Sequence, residues 1–418
     1  MAQFRIQGGN KLQGLVTVSG MKNAATPIIA ATLLTADRCR IRNVPRITDV
    51  LRMVEILQSL GAVVEWNGEH ELIICAKNGN PAALDAGAVA AMRSSILFLG
   101  PMLARFHEAQ MPEPGGCIIG NRPIETHLAA LTALGAEVQH GEGHVTVRAS
   151  ALHGNEIVLP EFSVTATENA MMTAVLSAGR TMIRLAAAEP HVQDLASFLR
   201  AMGARIAGDG THTITIDGVE RLHGAEHTVI PDCIEAGTFL VAAAVTRGRV
   251  DVAGVVPEHL HAVLALLRAV GVSVHVGERS IRVSPGGTLH AFRLQTMPYP
   301  GFPTDLQAPF GLLATACHGT SLIHDPLYEG RMGYVQELVK MGASAEVCDP
   351  HRVLISGPTP LYGKEIKSLD LRAGATLLLA GLAARGESVL HDAEILDRGY
   401  ERIDERLRAL GADVRREA

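Results

Sequence analysis

Lys22, Arg93, Arg122, Arg331, Arg372 and Arg398 lie far apart in the chain, yet four of them recur in pairs at matching offsets within an internal repeat. Cations that converge on one cleft would hold a substrate bearing a phosphate, a carboxylate or both, through charge-assisted and bidentate contacts. A single arginine taken alone is ordinarily a solvated surface charge, so the argument for a common role rests on the shared offsets. Two further residues could move protons. Cys117 stands in the irregular run Pro114-Gly115-Gly116-Cys117-Ile118-Ile119-Gly120, shortly before Arg122. A cationic neighbourhood would make its thiol reactive; away from one it would be an inert loop cysteine. The glycine content of that run reads as a mobile lid. Asp305 lies in Tyr299-Pro300-Gly301-Phe302-Pro303-Thr304-Asp305-Leu306-Gln307, where prolines predict a turn before a helix. It either caps that helix and complements its dipole or, if it faces the cations, serves as a general base toward a hydroxyl.

The elements that must position these groups follow from six short [Leu/Met/Val]-Gly-[Ala/Val] signals, with glycines at Gly61, Gly135, Gly203, Gly271, Gly342 and Gly411, spaced 68 to 74 residues apart. Each follows an amphipathic helical pattern and precedes a β-branched run, as a left-handed helix C-cap would. In the last copy, Ser368 to Leu371 reads as a short strand, Ala373 to Ala384 as a small-residue helix, Ser388 to Leu390 as a strand and Glu401 to Leu410 as a second helix. Ala412-Asp413-Val414 then begins another strand. The unit is β-α-β-α-β. The first helix is rich in small residues and so can be approached on all sides, which suits three units per domain with helices inside and sheets outside. The run Gln3 to Ser19 precedes the first unit and could supply a strand to the last domain.

Aligning the units on these glycines exposes the cation slots. Thirteen residues back, at the expected mouth of the second helix, stand Thr48, Arg122, Pro190, Glu258, Glu329 and Arg398; thirty-nine back stand Lys22, Ile96, Val164, Asp232, Pro303 and Arg372. A cation at a helix N-terminus opposes the macrodipole and suggests a bound anion.

Bulk properties limit the alternatives. At 418 residues the chain suggests two domains, and 47% hydrophobic against 19% charged residues describes a globular protein with ample apolar surface to bury. A net charge of −6 with 4% aromatics argues against a nucleic-acid partner. No apolar stretch approaches a membrane span and the N-terminus has no signal-like segment, so a cytoplasmic protein without membrane association is expected. Six scattered cysteines without a C-x-x-C pair fit a reducing compartment. No metal site is expected, since His223 and His227 lie beside Gly224 in a loop context rather than on a helix.

Several of these segments together resemble one family. Ser19-Gly20-Met21-Lys22-Asn23-Ala24-Ala25, Met92-Arg93-Ser94-Ser95, Pro114-Gly115-Gly116-Cys117 with Arg122-Pro123, Phe302-Pro303-Thr304-Asp305-Leu306-Gln307, Asp370-Leu371-Arg372-Ala373 and Asp397-Arg398-Gly399-Tyr400-Glu401 are similar to the UDP-N-acetylglucosamine enolpyruvyl transferases, in order along the whole chain. The resemblance implies a two-domain inside-out α/β barrel of six β-α-β-α-β type repeats, three per domain. One domain would span residues 22–229; the other would combine 1–21 with 230–418. It implies transfer of the enolpyruvyl group of phosphoenolpyruvate to the 3-hydroxyl of UDP-N-acetylglucosamine in peptidoglycan synthesis, with release of phosphate and no cofactor.

By the same resemblance Cys117 is the acid and the residue alkylated by fosfomycin, and Asp305 is the base. Lys22, Arg122 and Arg398 would hold the phosphate, Arg331 and Arg372 the carboxylate. Asn23, Arg93, Arg122, Pro123, Ile124, Glu125, Thr126, Ser163, Val164, Asp305 and Leu327 would line the nucleotide-sugar site. The chain departs from the family at Glu161, Thr165, His191, Cys233, Gly330 and Gly333, which bears on the acceptor rather than on the reaction. A different uridine nucleotide or shikimate 3-phosphate is the alternative acceptor. A six-repeat ring scaffold without catalysis is the alternative class.

Overall fold

The computed structural model describes residues 2–112, 115, 120 and 123–417. The described residues up to Ser19 and from Pro231 onward, with Gly120, form one compact unit; the rest, between Gly20 and Ile230, form a second. Among the described residues each unit carries three sheets. In the second, Glu226–Thr228, Arg38–Arg42, Glu71–Cys75 and Val63–Trp66 make one sheet, and Arg205–Ala207, Thr213–Asp217, Arg180–Arg184 and Glu156–Val158 make another. The third has three strands among the described residues, Glu108–Pro112, His144–Arg148 and Glu137–Gly141.

The stretch from Glu156 to Asp217 shows the local logic. Strand Glu156–Val158 and strand Arg180–Arg184 pair in parallel, so the chain must cross over between them, and helix Val164–Ala174 makes that crossing. Helix Pro190–Ala201 comes next. Gly203, at φ +104°, ends it, and Arg205–Ala207 and Thr213–Asp217 then pair antiparallel. The same left-handed conformation occurs at Gly61, Gly135, Gly271, Gly342 and Gly411, with φ between +88° and +107°. Beyond each of these glycines except Gly411 the chain forms a two-stranded hairpin and not the single strand expected from the β-branched run.

In the first unit the N-terminal residues enter two sheets. Gln3–Gln7 lies antiparallel between Glu387–His391 and Asp413–Glu417, opposing Phe4 to Leu390 and Ile6 to Val414, and all four of these side chains are buried. Gln13–Thr17 runs parallel to Arg249–Ala253 as an edge strand. The remaining sheet orders Arg293–Gln295, Gly319–His324, Arg352–Gly357 and Ser344–Asp349.

Helices Cys233–Val245 and Leu371–Ala383 are buried on every side over nearly their whole length. Small residues permit this: a Cβ on Gly381 would stand 2.9 Å from Ile6 Cδ1. The strand expected over Ser368 to Leu371 is displaced to Glu365–Lys367, because Asp370 is the N-cap of the following helix and accepts from the backbone N–H groups of Arg372 at 2.7 Å and Ala373 at 3.0 Å. Among the described residues no helix is long and apolar enough to cross a membrane.

Candidate functional site

Asp305 does not cap a helix. It lies in the short 3₁₀ turn Thr304–Leu306, ahead of helix Gln307–Ala314, and its carboxylate is held by two arginines. Arg331 Nη1 meets Oδ1 at 2.9 Å, while Arg372 donates to Oδ2 from Nη2 at 2.9 Å and from Nε at 3.2 Å. Burial alone would raise the carboxyl pKa, but Arg372 and Arg331 together outweigh it and hold Asp305 well below the usual carboxylate range.

The two guanidiniums are themselves fixed. Arg372 lies 5.3 Å from the ring centroid of Tyr400, whose hydroxyl shares a 3.0 Å hydrogen bond with Thr238, and Arg331 lies 4.8 Å from that of Tyr328. Gln307 donates from Nε2 to the Arg331 carbonyl at 3.1 Å and accepts from the Tyr334 hydroxyl at 3.0 Å. Arg331 Nε and Arg372 Nη1 remain buried without a hydrogen-bond partner among the described residues. Buried N–H groups of this kind are costly to leave unmet, and on charged side chains they mark a place for an anion.

In the second unit, Lys22 is the first residue of helix Lys22–Ala31, and its ammonium meets Asp49 Oδ2 at 2.6 Å. Asp49 is buried in the first turn of helix Thr48–Ser59. Its only sequence signal was its place beside the Thr48 slot. Asn23 follows Lys22 on the same helix. Arg93 opens the 3₁₀ helix Arg93–Phe98 and donates to the Pro123 carbonyl at 3.1 Å. Ile124 and Glu125 form the start of helix Glu125–Ala133, and the Thr126 hydroxyl donates to Glu161 at 3.0 Å. Ser163 caps helix Val164–Ala174 by accepting from Ala166 N–H at 3.3 Å. The sequence-predicted residues of this unit therefore gather about helix beginnings.

Leu327, in the first unit, is partly exposed, and its N–H donates to Asp325 at 3.1 Å. Arg398 closes the 3₁₀ helix Ala393–Arg398 and so does not stand at the mouth of the following helix, Ile403–Ala409. Thr48 and Pro190 of the same slot do open α-helices, and in the other slot Lys22, Val164, Asp232 and Arg372 stand at helix starts. Cys117 and Arg122, with most of the glycine-rich run, lie outside the described residues.

Against Thr165 and Asn169 of helix Val164–Ala174 sits a buried histidine, His127, that carried no sequence signal. Asn169 Nδ2 donates to the Ile96 carbonyl at 3.0 Å and to His127 Nδ1 at 2.9 Å, so Nδ1 must keep its lone pair and Nε2 carries the proton toward Thr165 Oγ1 at 3.1 Å. Burial, with Arg93 adding to it, pushes the His127 pKa down from 6.5 to about 3. Below pH 6.5 the unfolded chain binds a proton that the folded chain refuses, so stability is lost as pH falls from 6.5 toward 3. At about 1.4 kcal/mol per pH unit the loss reaches a few kcal/mol. Denaturant unfolding of wild type and His127→Gln between pH 7.5 and pH 5 should show a shallower acid-side slope in the variant; equal slopes would remove His127 from the titration.

Comparison with known proteins identifies the family. Residues 6–407 match the family described as EPSP synthase (3-phosphoshikimate 1-carboxyvinyltransferase). The chain is 45% identical over 420 residues to the UDP-N-acetylglucosamine 1-carboxyvinyltransferase of Koribacter versatilis, covering 100% of this chain and 96% of that protein. It is 46% identical over 414 residues to the protein of the same name from Gloeobacter violaceus, covering 99% and 90%. Among solved structures, the enolpyruvyl transferase NikO from Streptomyces tendae aligns with a TM-score of 0.90 at 28% identity, over 99% of this chain and 98% of that one. An EPSP synthase from Acinetobacter baumannii aligns at 0.75 and 22% identity over the whole of both chains, a likeness of fold alone.

Proposed function

This chain belongs to the enolpyruvyl transferase (carboxyvinyltransferase) family, and from that premise we propose that it transfers the enolpyruvyl group of phosphoenolpyruvate to the 3-hydroxyl of UDP-N-acetylglucosamine, releasing phosphate, as a cytoplasmic step of peptidoglycan synthesis. The observation that carries the reading is full-length identity of 44 to 46% to proteins named for that activity. The Asp305–Arg331–Arg372 cluster supports it, since an anionic substrate needs fixed guanidiniums and the attacking hydroxyl needs a base.

In this reading Lys22, Arg122 and Arg398 hold the phosphate and Arg331 and Arg372 the carboxylate. Asn23, Arg93, Pro123, Ile124, Glu125, Thr126, Ser163, Val164 and Leu327 flank the nucleotide sugar. Cys117 delivers a proton to C3 of phosphoenolpyruvate while Asp305 takes the proton of the sugar hydroxyl as its oxygen bonds to C2. The resulting intermediate carries both carboxylate and phosphate, and the cations stabilise it. Loss of phosphate from C2 with a proton from C3 restores the double bond in the product. The six-repeat inside-out barrel, and domains of 22–229 and of 1–21 with 230–418, complete the reading.

Purified protein is expected to release inorganic phosphate from phosphoenolpyruvate only when UDP-N-acetylglucosamine is present. Glu161 bound to Thr126, and Thr165 bound to His127, favour testing a second nucleotide acceptor beside it. Release with another uridine nucleotide, and none with UDP-N-acetylglucosamine, would move the acceptor assignment and keep the reaction.

A further inference from the structure

We propose that Asp305 is a masked base, whose two oxygens are occupied by Arg331 and Arg372, and that the carboxylate of phosphoenolpyruvate unmasks it by competing for the same two guanidiniums. The inference rests on the reaction proposed above and adds to it a coupling between one substrate and the group that activates the other.

The geometry carries the coupling. Both carboxylate oxygens of Asp305 are engaged, at 2.9 Å to Arg331 and at 2.9 and 3.2 Å to Arg372. A carboxylate so held is a poor proton acceptor, because protonation must break charge-assisted hydrogen bonds to two cations. Each guanidinium nevertheless keeps one buried, unmet N–H group, Arg331 Nε and Arg372 Nη1. A second carboxylate can therefore take these donors first and then draw away those that Asp305 uses. Two guanidiniums share the one carboxylate in direct contact with them, and it is their unmet N–H groups that favour a further anion there.

The other ionisable groups nearby do not supply that anion. Asp370 acts on Arg331, but its carboxylate caps helix Leu371–Ala383; Asp232 acts on Arg372, but caps helix Cys233–Val245. Tyr328 and Tyr400 act on Arg331 and Arg372 respectively, and the nearby Cys233 thiol is pushed up by burial and stays neutral. Gln307, on the helix that follows Asp305, is uncharged and fixes the Arg331 backbone.

An incoming carboxylate changes Asp305 in two ways of the same sign. It removes part of the cationic field, and it places a like charge nearby; both raise the Asp305 pKa. The base thus becomes competent when phosphoenolpyruvate is present, and the sugar hydroxyl is not activated without it.

The test follows the Asp305 carboxyl carbon by ¹³C NMR in the full chain, with aspartate labelled at Cγ and the signal identified by its loss in Asp305→Asn and in Asp305→Glu. The probe is 2-phospholactate, which has the carboxylate and phosphate of the substrate but no double bond; inorganic phosphate at matched ionic strength is the control. Over the acid range in which the fold holds, the Asp305 signal should begin to shift at a pH at least about one unit higher with 2-phospholactate than without it, and should not do so with phosphate. A titration onset unmoved at saturating 2-phospholactate, in protein that shows acceptor-dependent phosphate release, overturns the masking and leaves the reaction standing. Absence of that release with either acceptor would instead overturn the reaction on which the masking rests.

Discussion

Asp305→Asn should lower kcat by about 10²–10⁴, the range for losing a positioned general base, while leaving KM for phosphoenolpyruvate unchanged or lower. The split between the two constants is the informative part. Asn keeps the size of the side chain and one acceptor oxygen, but it gives up the negative charge that ties Arg331 and Arg372 to position 305. Guanidiniums freed in this way meet the substrate carboxylate without a competitor, so affinity does not fall with rate. Asp305→Ala is a harsher change. It leaves two buried cations facing each other across a lost side chain, and breaking a buried pair by removing one partner costs about 3–5 kcal/mol. Thermal unfolding should therefore separate the two variants, with Ala well below Asn, and phosphate release measured with both substrates varied should give the kinetic split. A kcat for Asp305→Asn within a few-fold of wild type would remove Asp305 from the proton path.

Sequence spacing made the scaffold legible and left most of the side-chain partnerships hidden. The six glycines could be found because a left-handed C-cap has a strong residue preference, and all six adopt it. Lys22 and Arg372 could be paired across the chain because the offset from that cap is counted in residues. Asp305 was legible as a base candidate and also as a capping residue; packing rules out the cap and sets the carboxylate on two arginines, partners far along the chain that no local pattern links to it. Asp49 and His127 were invisible for a related reason, because each is a buried polar residue satisfied by a distant partner.

Some local expectations went astray where one role mimicked another. Ser368 to Leu371 has the alternation of a strand, but Asp370 is there to cap a helix. Arg398 shares a residue offset with Thr48 and Pro190, which open α-helices, yet in its own copy it closes a 3₁₀ segment, and residues 399–402 intervene before the helix. An offset fixes position along the chain and leaves the local conformation to the residues between.

The largest stability effect away from the candidate site is expected at Arg406. Its Nη1 pairs with the buried Glu235 and reaches Ser19 Oγ at 3.3 Å, its Nη2 donates to the Thr17 carbonyl, and its guanidinium lies 4.9 Å from the ring centroid of Phe239. Glu235 in turn accepts from Ser19 N–H at 2.6 Å. One ion pair thus fixes the end of the segment that leads by sequence into Gly20-Met21-Lys22. Burial raises the Glu235 pKa, and Arg406 offsets that rise only in part. Arg406→Ala leaves the carboxylate buried without its cation, at a cost of about 3–5 kcal/mol near neutral pH. The cost has a natural limit, because without Arg406 the Glu235 pKa rises further and the group can neutralise itself by binding a proton. The difference between variant and wild type should therefore shrink as pH falls. A double variant, Glu235→Met with Arg406→Leu, should recover much of the loss, since an apolar pair of similar volume has no charge to desolvate; the unmet Ser19 N–H and Thr17 carbonyl set the remainder. Denaturant unfolding of the two variants across pH 5 to 8 reads all three expectations. A cost below about 1 kcal/mol for Arg406→Ala at pH 7.5 would place the pair among ordinary surface salt bridges and deny it the clamping role.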